Sequence, residues 1–126
     1  MRHQQAATEA ARMAPASSSL RAVKIVHTVV WAFFVACILA IPFCTALGRF
    51  RLAAAFVAVV ALEVAVLVVN RMRCPFTDVA ARYTADRRAN FDIYLPEWLA
   101  RNNKALFGAL YAAGIVFLLA RWLGSR

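Results

Sequence analysis

Twenty-three consecutive residues, Ile25 to Leu47, carry no formal charge. A helix of that length rises about 34 Å, and the hydrocarbon core of a bilayer is about 30 Å thick. Two further apolar runs follow, Leu52 to Val69, interrupted only by Glu63, and Ala105 to Ala120. The last is short alone and is expected to begin earlier, because Pro96 suits a first helical position and Glu97 suits the positive end of a helix dipole. The predicted fold is all-α: an integral membrane three-helix bundle with a short amphipathic interfacial helix. Its spans cover about 25–47, 52–69 and 103–122 within one membrane domain, 23–126. Pro42 is expected to kink the first span or end it early. Trp98 and Trp122 are expected to anchor the third at its two interfaces. With 63% hydrophobic and 17% charged residues, the chain cannot be an ordinary soluble domain or a disordered one.

A net charge of +9 would suggest nucleic acid in a soluble protein. Here the basic residues flank the apolar runs, so the expected partner is anionic lipid and no nucleic acid is expected. With the N-terminus inside, eleven basic residues lie in the cytoplasm and four (Arg49, Arg51, Arg121 and Arg126) lie outside. The positive-inside rule then favours a multi-pass protein of the bacterial inner membrane, N-terminus cytoplasmic and C-terminus outside. Residues 1–22, rich in Ala, Ser and Gln, are expected to form a flexible basic tail. The first apolar run is too long for the core of a cleaved signal.

The loop 70–102 is the one polar stretch long enough to hold structure. Thr77 is expected to cap a short helix whose first turn holds Asp78. Phe76, Val79, Ala80 and Tyr83 share one face, suited to the headgroup layer, and Asp78, Arg82 and Asp86 are spaced to pair on another. Arg71, Arg73, Arg87 and Arg88 are candidates for lipid headgroups. Residues 90–96 alternate apolar and polar, and an extended connector tucked against the span ends is expected, with a bend at Asn102-Asn103.

Inside the apolar runs the exceptions carry the information. A mid-bilayer carboxylate is a functional candidate by default. Glu63 lies about seven residues, or roughly 10 Å, above the loop end of the second span, and His27 lies near the same end of the first. An antiparallel hairpin brings them to similar depths, so a buried His27–Glu63 pair is expected, with Asn70 two turns below Glu63 on the same face. Tyr111, mid-span, needs a hydrogen-bond partner and is expected to face this region. Such a pair joins helices, handles a proton or ligand, or forms an interface to another subunit. Cys74, beside Arg71 and Arg73, is either a reactive or acylated thiol or a buried turn residue. Cys37 and Cys44 are expected to be packing residues. The small residues Ala54, Ala58, Ala61 and Ala65, with Ala105, Gly108 and Ala112, are expected to pack helices together, within the bundle or in a homo-oligomer. With no CxxC, no HExxH and no second intramembrane His, no cofactor, metal site or catalytic residue is assigned.

His27, Glu63 and Cys74-Pro75-Phe76-Thr77 together resemble small bacterial integral membrane proteins grouped as a domain of unknown function, which carry a membrane His, a membrane Glu and a Cys-Pro-(Leu/Phe)-Thr motif. The stretch from Asn90 to Leu99 is similar to the aromatic, acidic connector before their last span. The resemblance covers about residues 22–122. It implies no activity, only that His27, Glu63 and Cys74 belong to one cluster. The leading functional expectation is a binding or accessory subunit of a larger membrane complex. An oligomeric proton-coupled transporter and a membrane enzyme acting on a lipid or quinone are the alternatives, the enzyme weakened by the lack of a second carboxylate or nucleophile.

Overall fold

The computed structural model describes residues 2–125, with side chains from Ser18 onward. Four helices follow one another: α1 (Arg2–Ala46), α2 (Phe50–Val69), α3 (Pro75–Ala81) and α4 (Glu97–Gly124). No strand occurs among the described residues. Three of these helices, over Ser18–Ala46, Phe50–Val69 and Glu97–Gly124, are long and apolar enough to cross a membrane. The protein is an all-α membrane bundle, as the apolar runs predict. Helix α1 starts at Arg2, so the segment expected to be a loose tail has helical backbone. Its Ala, Gln, Met and Glu content favours that state.

Helix α1 is the hub. It packs on α2, α3 and α4, while α2 and α4 touch each other less than either touches α1. The stripe Cys37, Ile38, Ile41, Cys44 and Thr45 is buried, at the spacing that keeps one helix face turned to its neighbours. Val60 of α2 completes the core with Cys37 and Ile38, and Phe34, Phe56 and Phe107 pack around it. Cys37 and Cys44 are thus packing residues, as expected. Thr45 is buried without strain because its hydroxyl donates to the Ile41 carbonyl one turn back at 2.7 Å.

Helix α1 continues one turn past Pro42 and stops at Ala46. Gly48, with φ +76°, follows it, and Gly48 N–H and Arg49 N–H donate to the carbonyls of Thr45 and Cys44 at 3.0 and 2.9 Å. This is a Schellman closure, which needs a left-handed residue at that position. Helix α4 packs tightly on α1 at Gly114, where a Cβ would lie 3.2 Å from Ile41 Cγ2. The small residues singled out from sequence do not make that contact: Ala54, Ala58, Ala61, Ala65, Ala105, Gly108 and Ala112 are all exposed. Between 6% and 28% of each span is buried within the protein, so most span surface is left for lipid.

The loop side departs from expectation in four places. Cys74, in extended conformation, precedes α3 with no side-chain cap, and Thr77 bonds elsewhere. Pro75 starts the helix, its missing N–H harmless there. Helix α3 ends at Ala81, so Asp86 is not on it; Asp78 pairs with Arg73 and Asp86 with Arg88 instead of with Arg82. The expected extended connector is a series of turns, closed by Asn90 Nδ2 donating to Leu95 O at 2.9 Å. Asn102 and Asn103 lie inside α4 without a bend, Asn102 donating back to Trp98 O at 2.8 Å. The apolar face of α3 meets α1, with Ala80 fully buried and the Phe76 ring 5.6 Å from that of His27.

Candidate functional site

Near the loop end of the bundle, α1, α2, α4 and the 70–96 loop surround a cavity of about 220 Å³. His27, Glu63 and Cys74 all open into it, so the three residues expected to cluster do share one space. The expected His27–Glu63 pair does not form. His27 Nδ1 donates to the Asp92 carbonyl oxygen at 3.0 Å and lies 3.6 Å from Asp92 Oδ2. Asp92 wins because the connector turns back beneath α1 and carries its carboxylate to the imidazole. Thr77 also donates its hydroxyl to Asp92 Oδ2. Asp92 is 6% exposed, and these partners offset the desolvation of its charge. With Nδ1 engaged, Nε2 is the imidazole nitrogen left for the cavity.

Glu63 is different. Among the described residues its carboxylate has no hydrogen bond and no ion pair. It lines this cavity and also a second one of about 300 Å³, which runs between α1, α2 and α4 past Phe34, Ile38, Val60 and Tyr111. Trp31, Leu67, Asn103 and Lys104 line both cavities as well. Trp31 Nε1 donates to Asn103 Oδ1 at 2.7 Å and its ring meets Phe107 edge-on at 5.8 Å, fixing α1 to α4 at the junction.

The other candidates have settled roles. Asn70 is outside the cavity: its amide donates to Arg73 O at 2.7 Å and to Asp78 Oδ2 at 2.9 Å, holding a turn in which Arg71 and Met72 are left-handed. Tyr111 lines the apolar cavity, but its hydroxyl donates to Val57 O at 2.8 Å and not toward His27. Arg73, Arg87 and Arg88 line the polar cavity, whereas Arg71 does not.

Burial pushes the Cys74 thiol up, the negative field of Glu63 and Asp92 adds to this, and backbone N–H groups of Phe76 and Thr77 oppose it. The lowering expected from neighbouring arginines is absent, and Cys74 is a half-buried turn residue with a protonated thiol at neutral pH. Asp86 moves the other way, down to about 2, because Arg88 donates to it from side chain and backbone. Among the described residues no three His, Cys, Asp or Glu side chains stand close enough to hold a metal ion.

Asp92, Trp31, Asn103 and Lys104 are the site residues that the linear pattern did not single out. Asp92 had one signal, an acid among aromatic residues just before a span; Asn103 reads in sequence as a helix breaker. Among the described residues the assembled site brings together a carboxylate without a partner, an imidazole with Nδ1 engaged and several cations. The chain matches no protein-family model, no curated protein and no solved structure.

Proposed function

We propose that this small membrane protein is a binding or accessory subunit that takes up a ligand in the cavity lined by His27, Glu63 and Cys74. The observation that carries this reading is Glu63, a carboxylate within a span that has no partner among the described residues and opens onto two cavities. A carboxylate in lipid costs a few kcal/mol unless something pairs with it or it takes up a proton. A residue kept only to join helices would be bonded to its neighbour, as His27 is to Asp92. The charge distribution supports the bacterial inner membrane as its location, with the loop 70–96 and the N-terminus cytoplasmic.

Native mass spectrometry of the full chain, extracted from its own membrane in mild detergent, tests the reading. A stoichiometric small molecule or foreign subunit is expected, and Glu63→Gln should lose it while keeping its thermal midpoint. A bare chain, or a Glu63→Gln variant that fails to fold, would return Glu63 to a purely structural role.

A further inference from the structure

The two cavities share a wall and differ in character. The polar one lies at the level of His27 and the loop; the apolar one continues along α1 to Ile38, eleven residues or about 16 Å deeper into the span. Together they form a slot parallel to the helices, polar at the membrane surface and apolar within. Its apolar part reaches the outer surface of the bundle at Val64, Met72 and Gly108, which are exposed. At Gly108 an added Cβ would meet no heavy atom within 4 Å, so the slot is open on that side.

Charge at the polar end selects the headgroup. Arg73 and Arg88 are held by Asp78 and Asp86. Asp92 is engaged by His27 and Thr77. Among the described residues Arg87 and Lys104 have no carboxylate within 4 Å: the Arg87 guanidinium donates only to the backbone carbonyls of Ala81, Thr84 and Asp86, and the Lys104 ammonium to that of Met72. Both line the polar cavity, and Lys104 also reaches the apolar one. Two unneutralised cations above an apolar slot complement a phosphate carrying an acyl chain.

We infer that the ligand is an anionic phospholipid of the surrounding bilayer, with its phosphate at Arg87 and Lys104 and one acyl chain in the slot between α1, α2 and α4. Glu63 lines both cavities where they meet, and in its protonated form its carboxyl can donate to an ester carbonyl oxygen of the lipid. The inference rests on the binding reading above and names the class of ligand.

The full chain is reconstituted into phosphatidylcholine vesicles containing a minor share of phosphatidylglycerol, extracted in mild detergent and weighed by native mass spectrometry. One phosphatidylglycerol per chain is expected to stay bound in preference to phosphatidylcholine. Arg87→Gln with Lys104→Gln should lower its retention by roughly tenfold or more, the scale set by two basic groups facing anionic lipid. Gly108→Leu, whose Cβ meets nothing within 4 Å, adds bulk to the lining of the apolar part and should lower it as strongly, with circular dichroism and thermal midpoint unchanged. Equal retention of phosphatidylcholine, full retention by Gly108→Leu, or equal binding of inorganic phosphate in competition overturns the inference. If phosphatidylglycerol is absent but another small molecule is carried and then lost in Glu63→Gln, the lipid falls and the binding reading stands. A chain empty in every arm removes both.

Discussion

A carboxylate taken out of water needs donors, and Asp92 gathers a hydroxyl from α3 while its residue also holds the imidazole of α1. Removing the acceptor strands the Thr77 hydroxyl in a half-buried place. Asp92→Ala should therefore lower stability by about 1–3 kcal/mol, with Asp92→Asn milder because an amide oxygen still accepts from Thr77. Chaotrope unfolding in detergent measures both. Cys74 gives a second, pH-dependent outcome. Its thiol is raised above the ordinary value of 9.0, so the reactive thiolate is scarce at neutral pH and grows as pH climbs past that value. Maleimide should react with Cys74 more slowly than with a free thiol at pH near 7, by stopped-flow or mass shift, and the gap should close only in alkali. The convergence of His27 and Glu63 is legible in the sequence because span lengths fix their depth, whereas the place of Cys74 beside them is implied only by the family resemblance. The partner of His27 is not, because it depends on how turns around Asn90 route the chain.

Spans are legible in the same way, since a run such as Ile25–Leu47 without charge admits few alternatives. Helix contacts are harder. Small residues recur on α2 and α4, yet one of them, Gly114, makes the close approach, because α1 lies against that side of α4 only. Spacing marks where a close contact is permitted; the direction of the neighbouring helix decides where it occurs. Gly114→Val should force Ile41 away and lower the thermal midpoint, at a cost of about 1–3 kcal/mol. Asn102 and Asn103 mislead for a related reason: Asn weakens a helix in isolation, but the Trp98 carbonyl and the Trp31 indole satisfy these side chains within α4.

For the molecule as a whole, the sidedness of charge makes a definite forecast. Arg49 and Arg71 are both exposed and stand at opposite ends of α2. In intact cells an impermeant maleimide should label a cysteine placed at Arg49 and leave one at Arg71 unlabelled until the membrane is opened; the reverse pattern would invert the topology. The bonds that seal the polar cavity also join distant parts of the chain. His27 meets Asp92 across 65 positions, Tyr94 N–H donates to Thr28 across 66, and Lys24 sits over the Tyr94 ring at 4.5 Å. The α1–α2 hairpin, by contrast, closes through a three-residue turn. During synthesis the hairpin can therefore enter the bilayer and pair long before the connector has been made. The cavity is completed last, as a seam drawn shut after its walls are standing. A seam held by a few polar bonds is also the cheapest part of the molecule to reopen, so the polar cavity can open while the three spans stay assembled.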